Sequence, residues 1–311
     1  MLSVPILYVV FNRLDTVKKT FPVIKQQKPL KLYIAADGPR KNKTGEDVEC
    51  TDVRNWILSQ IDWNCDVHTL FREENLGCKY GVSKAIQWFF QNEEKGIVME
   101  DDILATNSFF QYCEKMLDWY QNDETIGFIS GCTLSKYVEK KSEDYFLSTI
   151  PGVWGWASWN KKIKNYNPDY ASLLNNKKVT TIMLNKRAEK NLLNNSLKSA
   201  KGEIDTWDYQ MSDYMVSNKM YTIYPKMNLI RNCGFEGKST HTFGIPSWYK
   251  DVSYEFNFIK LDTIKLNKKY AKGYESTHVI SFFTVIKISI RSFFKHFRIC
   301  RFLYYKVIKK N

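Results

Sequence analysis

The chain has 311 residues, 44% of them hydrophobic and 15% aromatic, enough to bury a sizeable core and too apolar for a globally disordered chain. The formal net charge is +13, but eight Lys and Arg with no Asp or Glu fall in residues 279–311, which leaves +5 for residues 1–278; the body is only mildly basic and the tail needs its own explanation. No run of about 20 uninterrupted apolar residues offers a membrane-spanning helix, and the seven cysteines include neither a Cys-x-x-Cys pair nor a zinc-type Cys/His cluster, so reduced thiols in a cytoplasmic protein without a signal peptide are expected.

Val4 to Phe11 is a continuous apolar run, as in a strand buried on both faces. Asn12-Arg13-Leu14-Asp15 breaks it, and a helical pattern runs to about Gln27. Leu32 to Ala36 is a second buried strand, ending at Asp37-Gly38-Pro39. A helix with Val53, Trp56, Ile57 and Ile61 on one face follows, then a third strand over Cys65 to Phe71 and a helix carrying Val82, Ile86, Phe89 and Phe90. Gly96-Ile97-Val98-Met99 is a fourth strand, short and wholly apolar, that ends in Glu100-Asp101-Asp102. Phe109 to Tyr120 reads as helix.

Strands alternating with helices at this spacing predict an α/β fold with a mostly parallel, Rossmann-like sheet flanked by helices. Right-handed crossovers then bring the C-terminal ends of the strands to one edge, where ligands of such sheets bind. Asn12-Arg13, Asp37-Gly38 and the acidic triplet all fall there.

Beyond Ile126 the pattern is mixed. Ile126 to Ser130, Tyr145 to Ile150 and Tyr221 to Tyr224 read as strands, and about 177–199 and 204–218 as helices. Pro151 to Trp159 is an aromatic, glycine-spaced loop, and Asn228 to Gly244 is a polar one.

The triplet is the first chemical candidate. An enzyme that breaks a sugar–diphosphate bond must neutralise the leaving diphosphate, and a divalent cation held by one or two carboxylates does this. The competing reading is a solvated acidic turn. Asp37 is placed to accept a hydrogen bond from a base or ribose, or else to serve as a turn residue; Arg13 to face phosphate or base, or solvent. In Glu203-Ile204-Asp205-Thr206-Trp207-Asp208, both Asp205 and Asp208 are candidates for the carboxylate that deprotonates an attacking hydroxyl. Helix capping is the alternative, and it fits Asp205 better than Asp208. The loop from Gly234 through Lys238, Ser239 and His241 has donors suited to closing over a diphosphate.

In this order, these segments resemble the GT-A glycosyltransferases related to N-acetylglucosaminyltransferase I, including bacterial members of surface-polysaccharide assembly. The resemblance spans most of residues 4–245. It implies that Phe11, Asn12, Arg13 and Asp37 grip the nucleotide, that Glu100 and Asp101 flank the donor, and that Asp102 holds Mn²⁺ or Mg²⁺. The Pro151-Gly152-Val153-Trp154-Gly155-Trp156 segment is similar to the family's loop near the sugar, with one extra residue, which assigns Trp154, Gly155 and Trp156 to sugar or acceptor contacts. Trp207-Asp208 is similar to the family's Trp-Asp pair, with Asp208 as base, and Cys233 to Ser239 resembles its closing loop with the Phe displaced. The segment around Lys79 and Tyr80, where the family contacts the nucleotide, departs from the pattern. The resemblance implies inverting transfer from a UDP-sugar to a hydroxyl of a glycan or lipid-linked glycan. A sugar-1-phosphate nucleotidyltransferase would want a Gly-rich loop after the first strand, where this chain has Phe11-Asn12-Arg13-Leu14.

The expected organisation is a catalytic domain over 1–248, with nucleotide-sugar binding in about 1–130 and the acceptor part in 131–248, a connector over 249–278, and a basic amphipathic helix over 279–311. In the tail, Lys and Arg recur every three to five residues among Phe, Ile and Leu, a pattern suited to an anionic membrane surface on the inner face of the cell membrane. A terminal helix packed on the domain is the bland alternative, and a membrane-binding module without enzymatic activity the functional one. No nucleic-acid motif accompanies the charge.

Overall fold

The computed structural model describes residues 1–175, 179–236 and 258–279. The first half follows the alternating pattern: β1 (Ile6–Val10), α1 (Leu14–Gln27), β2 (Lys31–Ala36), α2 (Glu46–Gln60), β3 (Asp66–Phe71), α3 (Gly77–Asn92) and β4 (Lys95–Glu100). The next elements are β5 (Ile103–Ala105), α4 (Asn107–Trp119), β6 (Ile126–Ser130), β7 (Tyr145–Ser148), β8 (Trp156–Trp159) and α5 (Asn160–Ile163). Then come α6 (Lys186–Ala200), α7 (Asp208–Ser217), β9 (Tyr221–Pro225), β10 (Ile230–Asn232) and α8 (Lys268–Thr277).

Eight strands form a mainly parallel sheet in the order β3-β2-β1-β4-β8-β6-β9-β7. The β3-β2-β1-β4 half is parallel throughout, and β6 runs parallel to β9. β8 is antiparallel to both β4 and β6, and β7 to β9. Helices cover both faces. Val17, Phe21, Ile24, Val53, Ile57, Phe109 and Met116 fill one layer; Val82, Ile86, Phe89, Phe90, Met211 and Met215 fill the other.

Two parts of the expected pattern change. The aromatic loop over Pro151–Trp159 contains a central strand, β8, which joins the two halves of the sheet. Its bulky Trp156 and Trp159 alternate with small Ala157 and Ser158, all buried, and the preceding glycines hide that alternation in the sequence. The polar loop after Asn228 contains β10, which pairs antiparallel with β5 directly after the acidic triplet. Both strands are three residues long, too short for periodicity to show.

The described part of the expected 249–278 connector is packed into the body. Phe258 belongs to the main core, Leu266 bridges to Leu147 of β7, and α8 buries Tyr270 and Ala271. Apart from Val279, the basic tail lies outside the described residues, as do Lys238 and Ser239. No helix among the described residues is long and apolar enough to cross a membrane.

Candidate active site

Pairing of Val9 with Glu100 and Val10 with Ala36 sets residues 11–13, 37–38 and 100–102 side by side at one sheet edge. The side chains there are bound to one another. Arg13 stands at the N-terminal boundary of α1, which aims its guanidinium across β1. Its Nε donates to Asp101 Oδ2 at 3.2 Å, its Nη2 to Asp101 Oδ1, and the same Nη2 to Asp102 Oδ2 at 3.2 Å. Asp101 is 3% exposed, and its carbonyl accepts from Thr20 Oγ1 at 2.8 Å, itself paired with the buried Tyr8 hydroxyl at 2.7 Å. Arg13 and Asp101, both expected on the nucleotide side of the site, are bound to each other. A fork of this geometry suits a carboxylate and anchors the triplet to the core. Burial opposes the Arg13 charge, but Asp101 and then Asp102 hold its pKa above the ordinary value.

That leaves Glu100 and Asp102, both half-buried. Burial, then the charges of Asp102 and Asp101, push the Glu100 carboxyl well above the usual carboxylate range. Burial and Asp101 raise Asp102 in the same direction, and Arg13 opposes. Negative charge is thus in excess at the strand end, and one arginine offsets only part of it. Such a donor set fits a hard divalent cation, whose charge removes the repulsion. Among the described residues no three His, Cys, Asp or Glu side chains converge as a metal cage. The protein's share of a site here would be one or two carboxylates, with phosphate oxygens completing the shell.

The chain returns to the triplet after β10. Cys233 N donates to Asp102 O at 2.7 Å, and Gly234 N to Asn232 Oδ1 at 2.8 Å. A Cβ on Gly234 would lie 2.8 Å from Asn232 Oδ1 and 3.0 Å from Asp102 Oδ2, so a larger residue here would have to displace these side chains. The loop that carries Lys238 and Ser239 therefore starts on top of Asp102.

Asp208 opens α7. Its Oδ1 accepts from Tyr209 N at 3.0 Å and from the Thr206 hydroxyl, and no described residue hydrogen-bonds to Oδ2. Its charge bears on Glu100 and on Cys78.

Asp205 has a different task. It accepts from Cys78 N at 3.1 Å and Lys79 N at 2.8 Å, capping α3 rather than the helix it precedes. Asp37 accepts from Leu76 N at 3.0 Å and Gly77 N at 3.1 Å. The four leading amides of α3 are therefore satisfied by two carboxylates, and this helix end offers no anion site. Gly77 has φ +76°, and a Cβ there would meet Asp205 Oδ2 at 2.8 Å. The adjacent Lys79, also buried, donates to Ser199 O at 2.8 Å, which accounts for its departure from a nucleotide-contacting pattern. Burial raises Asp37 above the ordinary carboxylate value, against the amides that donate to it and the nearby Arg72 charge.

Asn12 donates to Glu46 Oε1 at 3.1 Å and Glu49 Oε2 at 2.9 Å. Arg40 binds the same buried Glu46, with Arg40 N 2.7 Å from Oε2, and lies over the Phe11 ring at 5.4 Å. A cavity of about 360 Å³ lined by Arg40, Lys41, Lys43, Glu73 and Glu74 opens beside this loop, and none of the triplet lines it.

The aromatic candidates divide. Trp156 and Trp207 are 1% and 3% exposed and stack at 6.1 Å, with Phe128 at 4.6 Å from Trp156. They form a core column and offer no surface to a sugar. Gly155, at φ +61°, is also buried, and a Cβ there would lie 3.1 to 3.2 Å from Ile230 and Ile103. Trp154 alone of the four is half-exposed. Trp207 does place Asp208: its carbonyl accepts from the Tyr166 hydroxyl at 3.2 Å.

No protein-family model and no curated protein matches the sequence. Among solved structures, the chain is similar to UDP-glucose pyrophosphorylase complexed with UDP-glucose, at 11% identity and TM-score 0.40, over 75% of this chain and 94% of that one. It is also similar to GalNAc-T7 with UDP, GalNAc and Mn²⁺, at 10% identity and TM-score 0.43, over 72% of this chain and 43% of that one. HddC from Yersinia pseudotuberculosis is similar at 11% identity and TM-score 0.35, over 56% and 87%. Similarities of this size carry no weight for activity, which has to be argued from the side chains around Glu100.

Proposed function

We propose that the chain is a glycosyltransferase that moves a sugar from a nucleotide diphosphate, UDP in the reading favoured by the sequence resemblance, to a hydroxyl of a glycan acceptor with inversion. The observation that carries this reading is the meeting of two carboxylate sets far apart in sequence. Glu100 and Asp102 are crowded carboxyls at the strand end whose ionised forms Arg13 offsets only in part, and the Asp208 charge bears on Glu100 with no described residue hydrogen-bonded to its Oδ2.

Asp102, with Glu100, is the ligand set for Mn²⁺ or Mg²⁺, which supplies neutralisation of the leaving diphosphate when bound. Arg13 keeps Asp101 and Asp102 in place and lowers the repulsion between them. Phe11, Asn12 and Asp37 frame the nucleotide side of the edge through the Arg40–Glu46 cluster and the α3 cap. The loop through Lys238 and Ser239 closes over the diphosphate and excludes water. Asp208 Oδ2 takes the proton of the acceptor hydroxyl as that oxygen attacks the anomeric carbon, the sugar–diphosphate bond breaks, and configuration inverts. A nucleotidyltransferase leaves Asp208 without a task. The acceptor is proposed to be lipid-linked, for surface-polysaccharide assembly, with residues 279–311 lying on an anionic cytoplasmic membrane face.

The test is UDP release and sugar transfer from UDP-glucose and UDP-N-acetylglucosamine with Mn²⁺. Asp102→Ala and Asp208→Asn should each lower turnover by about 10²-fold or more. Unchanged turnover in both variants would contradict the assignment.

A further inference from the structure

Asp101 and Asp102 stand in a gap between two strand ladders. Pairing of β1 with β4 ends at Val9 and Glu100, and pairing of β5 with β10 begins at Ile103 and Asn232. The two residues between form a turn, so no strand pairing fixes the direction of their carboxylates. Their main-chain carbonyls are held from two other parts of the fold instead. Asp102 O accepts from Cys233 N at 2.7 Å, just after β10. Asp101 O accepts from Thr20 Oγ1 at 2.8 Å, inside α1.

Thr20 is fully buried, and its hydroxyl lies 2.8 Å from Asp101 O, 3.2 Å from Thr16 O and 2.7 Å from the equally buried Tyr8 hydroxyl. A hydroxyl has one proton to give, and neither carbonyl has one. Given to Asp101 O, the shorter of the two carbonyl contacts, that proton leaves Thr20 Oγ1 as an acceptor, and Tyr8 donates to it. Burial, then the Asp101 charge, hold the Tyr8 phenol well above its ordinary pKa, which keeps its proton in place. The relay thus runs from the middle of β1, through α1, to the peptide that joins Asp101 to Asp102. Apolar packing does not call for it. Val has the shape of Thr and Phe the shape of Tyr without the hydroxyl, and a buried hydroxyl is unfavourable unless it is bonded. Among the described residues, the polar group that the relay serves outside β1 and α1 is the Asp101 carbonyl.

We propose that Thr20, oriented by Tyr8, is a positioning residue for the cation site. The peptide plane that carries Asp101 O also carries Asp102 N. Holding that carbonyl therefore sets the direction in which the Asp102 carboxylate leaves the chain. Arg13 binds the carboxylates themselves, and the relay binds the backbone behind them. The inference rests on the reading of Asp102 as the cation ligand. It makes two buried hydroxyls, outside every motif of the sequence, part of what sets cation affinity.

The experiment titrates the full chain with Mn²⁺ alone, reading free Mn²⁺ by its EPR signal, and records the melting temperature without metal beside it. Thr20→Val keeps the shape and removes the hydroxyl, Thr20→Ser keeps the hydroxyl, and Tyr8→Phe removes the donor to Thr20. The expected Kd for Mn²⁺ rises about tenfold in Thr20→Val, the usual effect of losing a hydrogen bond that orients a metal ligand, rises about threefold in Tyr8→Phe, and stays within about twofold of the parent in Thr20→Ser. A Thr20→Val protein that melts lower yet binds Mn²⁺ as the parent does overturns the proposal, because a structural role alone produces that result. A Kd in Thr20→Ser as high as in Thr20→Val overturns it too, since the hydroxyl is then not what matters. Where Thr20→Val does not fold, Tyr8→Phe decides: a raised Kd supports the proposal and an unchanged one overturns it. Absence of Mn²⁺ binding to the parent, or equal binding by Asp102→Asn, takes down the Asp102 reading together with this one. Binding that is lost in Asp102→Asn and unchanged in Thr20→Val takes down this one alone.

Discussion

The two aspartates of the triplet divide their labour through a single arginine. Asp101 is buried and bound twice by Arg13, so its carboxylate is a fixture of the fold, and Asp102 shares only one nitrogen of the same guanidinium. Removing the arginine leaves a buried carboxylate without its partner. Arg13→Ala should therefore destabilise the protein by about 3 kcal/mol or more in urea unfolding, and a loss below about 0.5 kcal/mol would mean the pair is not held as described. Arg13→Lys keeps the charge without the fork and should recover only part of that loss. The triplet stood out in the sequence because a short apolar strand ends in it. The division between its members did not, because Arg13 lies on another strand end and only the register of β1 against β4 brings them together.

The start of α3 is held by Asp37, just after β2, and by Asp205 from the segment before α7, which ties the β3-β2-β1-β4 half of the sheet to the segment that leads into Asp208. Asp37→Ala and Asp205→Ala should each cost about 1 kcal/mol, the usual value of a helix cap, with the loss read by thermal or urea unfolding in the absence of any nucleotide. A ligand-free stability equal to the parent's in Asp37→Ala would return that residue to a purely nucleotide-facing role. Strands β1, β2 and β4 were legible in the sequence because each has an apolar run of four or more residues at its centre that is almost wholly buried, and the half-exposed β3 was legible from its alternation with the helices on either side. β8 was not, because glycines and tryptophans at Val153–Trp156 read as a loop until a strand on each side supplies the pairing. The family resemblance put Trp156 and Trp207 at the sugar or acceptor, and tertiary packing buries both in the core; an aromatic side chain fills a core as readily as it stacks on a sugar.

On the scale of the whole molecule, the body does not end where the motifs end. α8 closes onto β7, α6 and the Pro151 loop through Glu275, whose carboxylate takes one hydroxyl and two backbone amides with no exposure to solvent. Glu275→Ala leaves these three donors buried without an acceptor and should cost about 3 kcal/mol, with hydrogen exchange of α8 rising ahead of the sheet. Exchange that stays uniform in this variant would mean that α8 is not held by this residue. Past Val279 the chain carries only basic and neutral residues. It should sediment with vesicles of phosphatidylglycerol and not of phosphatidylcholine, and lose that binding as salt rises. Sedimentation with both vesicle types would contradict an electrostatic origin. The central claim is that Glu100 and Asp102 form a cation-dependent site for a nucleotide sugar. Its most direct test is the melting temperature with UDP-glucose or UDP-N-acetylglucosamine, with and without Mn²⁺, in the parent protein and in Asp102→Asn. A donor that stabilises the parent only with the metal, and leaves Asp102→Asn unmoved, is the expected result. Equal stabilisation of both proteins, or stabilisation indifferent to Mn²⁺, would contradict it.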